Sequence, residues 1–345
     1  MPGTPRSQII AFSRMNKESA FGIPIADGNL INWIPCEGPD YPDLGIGYRD
    51  DSKVINGFLG PTLRQIETRE GKKAWKFEAS AESLGFFTIM QFGKVTMTGS
   101  GDPYSAVVKA RDVCTINPPS FTYVHGLNCA GATGTYYRRK GAVINTHSVE
   151  IKGKGPLMQT IALEDDGSVT ADSGFSFPAS PDTVQTLLGS MCQLQFGAVG
   201  SLVDLSAAKR LRTWKATFNS QIKRIDTPNS AVTVDEFQYG EEAPLVQVEF
   251  TIKGDESSPE YALYNVPAGS PTLCQMIMTV DAGTVPDRYW QMTQTNCHIL
   301  SCTPKPAGNE NQLDIKLGVL NTSTDAGPCQ FLSKCGQSAY LVGNP

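Results

Sequence analysis

Apolar and polar residues alternate with a period of two along much of this chain. Ala142, Ile144, Thr146, Ser148 and Glu150 interleave with Val143, Asn145, His147, Val149 and Ile151. Leu157, Gln159, Ile161 and Leu163 resume the pattern after Lys152-Gly153-Lys154-Gly155-Pro156. A Gly- and Pro-rich break between two such runs predicts a hairpin. Val246, Val248, Phe250 and Ile252 alternate with Gln247, Glu249, Thr251 and Lys253, and Leu313, Ile315, Leu317 and Val319 follow the same rule. Successive side chains of a strand point to opposite faces: the 142–151 run reads as a strand with two usable faces, and the clearest of the other runs predict a sheet with one apolar and one polar face. Helical spacing is rare. The best run is Ser80 to Gly93, where Ser80 is placed to cap and Glu82 falls in the first turn, favoured by the helix dipole. Leu84, Phe87 and Met90 recur every three residues. Phe86, Ile89 and Phe92 make a second apolar line, which predicts a helix covered on more than one side. Val184 to Met191 is a weaker candidate for a short helix. The expected class is mostly β, a β-rich α+β fold.

The chain also resembles itself. Residues 121–167 and 272–327 each read as a strand, a Gly-containing loop, an aromatic pair (Tyr136-Tyr137; Tyr289-Trp290), a second strand, a turn and a third strand. Each ends in an acidic residue and glycine, Asp166-Gly167 and Asp325-Ala326-Gly327. Upstream, 53–92 and 217–264 each read as two strands around a polar loop, then a helix-like segment. A repeated order of elements predicts a repeated architecture. At about 150 residues per domain, 345 residues also suggest two domains. The expected division is an N-terminal arm (1–30), a first domain (31–172), a linker (173–190, opening SGFSFPASP), a second domain (191–327) and a C-terminal arm (328–345).

Composition narrows the function. With 29 basic and 34 acidic residues the net charge is −5, which argues against a protein that grips nucleic acid by neutralising phosphates. No apolar stretch approaches 18 residues, so no membrane-spanning helix is expected, and Met1 to Asn16 lacks the pattern of a secretory signal. Nine cysteines are scattered without a CxxC, and His125, His147 and His298 do not have zinc-ligand spacing. Most cysteines read as buried, reduced thiols; Cys329 and Cys335, near the C-terminus, are the candidates for exposure and for a disulfide. There is no GxSxG and no phosphate-binding glycine loop. The three histidines read as sheet positions. The acidic clusters Asp50-Asp51, Glu164-Asp165-Asp166 and Glu241-Glu242 read as solvated turn charges, and Arg138-Arg139-Lys140 as a site for salt bridges between subunits. No catalytic, cofactor-binding or metal-binding residue is assigned, no cofactor is expected, and the chain does not read as an enzyme.

The stretch from Asp50 to Gly93, with DDSKVINGFLGP and then GKKAWKFEASAESLGFFTIMQFG, resembles the major tail tube proteins of long-tailed, siphovirus-like bacteriophages. YYRRKGAVINTHSVEIKGKGPLMQTI is similar to the aromatic–Gly–Val–Asn strand, Gly/Pro turn and alternating strand of that family. The resemblance covers roughly residues 50–167, and the second half through the internal repeat. It implies two tandem tail-tube-like β-sandwich or barrel-forming domains, each with one short helix. It implies subunits that form rings, stacked into a hollow tube through which the genome passes without specific binding. A doubled chain implies a ring of three subunits, or else of six. The implied partners are further copies of the chain and other tail proteins (tape measure, tail terminator, distal tail), with no membrane. The implied location is the virion tail, after assembly in the host cytoplasm. An acidic lumen is expected, because it repels DNA phosphates. The competing readings are a β-rich capsid-decoration or adhesion protein and, more weakly, a hydrolase using Glu241/Glu242 or Glu164/Asp165.

Overall fold

The computed structural model of the chain describes residues 8–13, 18–25, 30–36, 43–52, 61–99, 101–110, 116–126, 136–172, 186–227, 233–241, 245–266, 271–284 and 287–335. The first half supplies β1 (Gln8–Ser13), β2 (Leu30–Cys36), β3 (Asp43–Ser52), β4 (Pro61–Glu78) and α1 (Ala81–Phe92). It continues with β5 (Gly93–Thr98), β6 (Tyr104–Ala110), β7 (Phe121–Gly126), β8 (Tyr136–Lys152), β9 (Met158–Asp165) and β10 (Thr170–Asp172). The second half supplies β11 (Cys192–Ala198), β12 (Ser201–Asp204), β13 (Leu211–Asn219), β14 (Lys223–Ile225), β15 (Glu236–Gln238) and β16 (Leu245–Lys253). It ends with α2 (Pro259–Tyr264), β17 (Cys274–Asp281), β18 (Tyr289–Ala307), β19 (Glu310–Val319) and β20 (Gln330–Cys335). The protein is mostly β, with two helices and one large antiparallel sheet system among the described residues. No helix among the described residues is long and apolar enough to cross a membrane.

The two halves run the same pairing order. In the first, β2 pairs with β1, β1 with β7, β7 with β8, β8 with β9 and β10, β9 with β4, and β4 with β3. In the second, β12 pairs with β11, β11 with β17, β17 with β18, β18 with β19 and β20, β19 with β16, and β16 with β13. The register repeats as well as the order. Ala142 lies opposite Phe121 and Arg139 opposite Tyr123; Cys297 lies opposite Cys274 and Gln294 opposite Met276. Both ladders shift register between those pairs. β8 carries a bulge between Ile144 and Thr146, and β18 carries one between Ile299 and Ser301. Both strands end at a glycine in the left-handed region, Gly153 (φ 61°) and Gly308 (φ 62°), where the hairpin turns.

The bulges divide β8 and β18 between two layers. Their first parts belong to the smaller sheets, β2-β1-β7-β8-β10 and β12-β11-β17-β18-β20, the latter extended by β6 and β5. Their second parts join one long sheet in the order β3-β4-β9-β8-β13-β16-β19-β18. Apolar side chains of the facing layers meet edge to face: Trp75 on Tyr123 (5.1 Å between ring centroids), Phe196 on Phe250 (5.2 Å) and Trp214 on Trp290 (6.3 Å). One cluster of buried residues runs through both halves.

The helix expected over 80–93 forms at Ala81–Phe92. Ser80 Oγ accepts the Ser83 N–H at 3.0 Å, Ser83 Oγ accepts the Ser80 N–H at 2.9 Å, and Gly93 closes the end at φ 80°. Every residue of α1 is buried, as its two apolar lines imply, because α1 packs against β8, β18 and β20 and is covered by the β5–β6 hairpin. In the weaker candidate region only a single turn forms, at 189–191; its first two residues, 184–185, lie outside the described residues.

Both expected arms need correction. β1 lies inside the stretch read as an N-terminal arm, paired on both sides by β2 and β7. Residues 18–25 are pinned by the buried Glu18 carboxylate, which accepts from Ser120 Oγ and Thr122 Oγ1 (both 2.8 Å) and from the N–H groups of Gly22 and Gly141 (both 2.9 Å). β20 lies inside the stretch read as a C-terminal arm, between β18 and β6. Short strands with little alternation join a sheet when neighbours on both sides satisfy their backbone, a reason sequence does not display. Residues 1–7, 336–345 and most of the expected linker (173–185) lie outside the described residues.

Candidate assembly surface

The outer face of the long sheet is polar across its width. From β4 it presents Lys72, Lys76 and Glu78; from β9, Thr160 and Glu164; from β8, Thr146, Ser148, Glu150 and Lys152. β13 adds Thr213, Lys215 and Thr217, β16 adds Gln247, Glu249 and Thr251, and β19 adds Gln312, Asp314 and Lys316. The opposite positions, among them Trp75, Phe77, Val149, Ile151, Trp214, Phe250 and Ile315, are buried. This is the one-apolar, one-polar sheet that the period of two predicts. The face is not acidic, however. It carries charges of both signs, several of them paired: Lys316 with Glu249 (3.1 Å), Lys305 with Asp314 (2.5 Å), Lys152 with Glu150 (2.9 Å), and Arg212 with Glu310 (2.6 Å). The expectation of an acidic wall finds no support here. Interspersed charges of both signs leave little net field and offer phosphates no concentrated positive patch.

The titratable residues singled out in the sequence serve the fold. His147 is fully buried between Phe87 and Phe218, and its Nε2 accepts from Gln159 Nε2 at 2.8 Å. Burial alone lowers its pKa to about 3. His125 stacks on Tyr137 at 5.6 Å and is likewise lowered to about 3, by burial and then by the charges of Arg139 and Lys73. His298 lies on β18, opposite Gly318.

Two expectations about charge are corrected. Asp165 and Asp166 are buried, not solvated. Asp165 lies 3.3 Å from Arg139 and accepts from the Tyr123 hydroxyl (2.8 Å) and the Gly167 N–H (2.9 Å), while burial raises its pKa. Lys140 pairs with Asp166 at 3.7 Å, and Arg138 donates to the Ile25 carbonyl at 3.3 Å. The basic run Arg138-Arg139-Lys140 is therefore spent within the chain. Asp165 is buried because Gly71 lies opposite it on β4 and leaves room for its carboxylate. Of the remaining acids, Glu241 is exposed, Glu242 lies outside the described residues, and the side chains of Asp50 and Asp51 are not among those described.

Cys329 and Cys335 are buried free thiols, as are Cys192, Cys274, Cys297 and Cys302, which corrects the expected exposure and disulfide near the C-terminus. Burial raises the Cys274 and Cys302 thiols to about 11 and Cys192 to about 12, so they stay protonated. Cys36, Cys114 and Cys129 lie where no side chain is described.

What the long sheet leaves open are its ends. Among the described residues β3 has a strand partner on one side only, β4, and the second part of β18 has only β19. At Pro304, Lys305 and Pro306 of that strand lies an open groove of about 380 Å³, lined also by Asp255, Glu256, Ser257 and Asn311. No known family model matches this sequence, and no curated protein matches it.

Proposed function

We propose that this chain is a structural subunit that closes head to tail into rings of three, stacked as the hollow tail tube of a long-tailed bacteriophage. The observation that carries the reading is the joint between the halves. β13 of the second half pairs along the edge of β8 of the first, so four strands from each half, in the same order, share one sheet. That sheet ends in two different edges, β3 and β18. Two different edges on one molecule are a heterologous interface, which makes a closed ring when the rotation between copies permits. Closure removes open edges, which otherwise invite aggregation.

Three chains of eight strands, at about 4.8 Å between strands, give a circumference of roughly 115 Å before tilt widens it. Such a barrel has space for a DNA duplex. Its wall in this reading is the polar, internally ion-paired face, with the smaller sheets and α1 outside. The test is electron microscopy of the purified protein at rising concentration, with symmetry taken from end views. Hollow rings of three, stacking into tubes, are the expected result. Monomers that never stack at any concentration exclude the tube and favour a decoration or adhesion protein.

A further inference from the structure

The chain contains one built example of a joint between repeats. β13 pairs antiparallel with the second part of β8 from Thr213 opposite Lys152 to Asn219 opposite Thr146. The Gly153 N–H bonds the Arg212 carbonyl at 3.2 Å. Backbone polar groups alternate along a strand, so the N–H groups of Ile151, Val149 and His147 face β13 too. At the bulge, the Asn145 carbonyl accepts the Ser220 N–H at 2.8 Å, which covers that end of the joint.

The repeated register gives each of these residues a counterpart on β18. Gly308, Pro306, Pro304 and Cys302 stand where Gly153, Ile151, Val149 and His147 stand, and Leu300 stands where Asn145 stands. These counterparts line the open edge. Val149 and Ile151 are buried, whereas Pro304 and Pro306 are exposed, and Leu300 is 58% exposed, the most exposed large apolar side chain among the described residues. β3 is the counterpart of β13. Asp43 lies opposite Lys72 on β4 as Thr217 lies opposite Gln247 on β16, and Leu44 and Gly45 match Phe218 and Asn219.

We infer that β3 of a second copy of this chain pairs antiparallel with the open edge of β18 over Leu300 to Thr303, and that Pro304 and Pro306 stop the ladder there. The register has Gly45 opposite Ser301, Leu44 opposite Cys302 and Asp43 opposite Thr303. This rests on the ring reading above and adds to it the contact residues and a difference in strength. A proline has no N–H to give, so two donors present in the joint between halves are missing from the joint between copies. The covalently connected joint is therefore the complete one, and the joint that must form between molecules is the shorter one. The same prolines guard the edge of the free subunit against indiscriminate strand addition.

The test is a chain carrying Asp43→Cys and Thr303→Cys, oxidised mildly and run on a non-reducing denaturing gel. Residues directly opposite in a non-hydrogen-bonded pair have Cα atoms about 4.5 Å apart, within the range of roughly 4.4–6.8 Å that a disulfide spans. Cross-linked species of two and three chains are expected, absent from either single variant and from Asp43→Cys combined with Ser301→Cys. Rings that assemble without cross-linking in the matched pair, or with it only in the shifted pair, overturn the register while leaving the ring reading intact. A wild-type chain that never assembles sinks both. The proline argument has its own arm, Pro304→Val with Pro306→Ile, which takes the side chains of the counterpart positions. Assembly at a concentration at least about tenfold lower, measured by sedimentation, is expected from the restored donors. An unchanged assembly concentration overturns the role given to the prolines.

Discussion

Ser83, Gln159 and His147 form a polar chain through an apolar layer. Ser83 Oγ lies 3.0 Å from Gln159 Oε1, and the Gln159 amide donates to His147 Nε2. That donor fixes the imidazole as the neutral tautomer with its proton on Nδ1. A protonated His147 has no carboxylate within its surroundings of Phe87, Phe218 and Gln159, and His125 faces the positive Arg139 and Lys73. Both imidazoles have folded pKa values near 3 against an ordinary 6.5, so the unfolded chain takes up protons first. Their contribution to stability is present above pH 6.5 and is lost as pH falls from there toward 3. Lowering the pH from 6.5 to 5.5 is expected to cost about 1 kcal/mol per histidine, read as a fall in the urea midpoint. Glu18 and Asp165 act in the opposite sense. Burial raises their pKa values, so the stability they add is present below the ordinary carboxylate range and is lost as pH rises through the raised values. They soften the histidine loss at its acid end. His147→Gln is expected to flatten the slope between pH 6.5 and 5.5; an unchanged slope would show that His147 is not one of its sources.

At the scale of elements, the β8–β9 turn latches the halves together. Besides the Gly153–Arg212 bond, the Gly155 carbonyl accepts the Gly189 N–H at 2.7 Å, and the Leu157 N–H bonds the Leu187 carbonyl at 2.8 Å. Gly189 is required by close approach, because a Cβ there would lie 2.1 Å from the Gly153 carbonyl oxygen. Gly189→Ala is expected to lower stability by about 2 kcal/mol, seen as a drop in Tm, since neither backbone can yield without breaking the latch. A Tm within experimental error of wild type would count against the latch. The hairpin itself was legible in the sequence, because Lys152 to Pro156 breaks two alternating runs. Its contact with residues 187–189 was not, because no local pattern records which distant backbone lies against a turn.

Across the whole molecule the halves are interlocked. α1 of the first half packs on β18 and β20 of the second, and β6 pairs with β20. Arg288, from the second half, contacts Glu82 and Asp102 of the first at 2.8 Å each, and Gln91 donates to Ser220. With a principal core cluster shared by both halves and these cross-links, neither half buries its apolar face alone. A single cooperative unfolding transition is expected, with coincident changes in near- and far-ultraviolet circular dichroism. Two resolved transitions would indicate halves that hold together as independent units.

Local sequence pattern was enough for the mostly β class, α1 with its Ser80 cap, and the principal hairpin. It also matched segments 121–167 with 272–327, which hold β7–β9 and β17–β19. Each of these is written in neighbouring residues: a period of two, a serine before an apolar run, glycines between strands. Where the buried face changes side is set by packing. Ala142 and Ile144 point inward before Asn145, and His147, Val149 and Ile151 do so after it, because the bulge adds one residue and reverses the alternation. In sequence the same stretch reads as a strand with two usable faces. Packing likewise decides that Asp165 and Arg139 are buried together, that β1 and β20 are sheet strands, and that, among the described residues, the two ends of the long sheet have a strand partner on one side only. Strand partners, burial of charge and free edges depend on residues far apart in the chain, and only the packed chain brings those together.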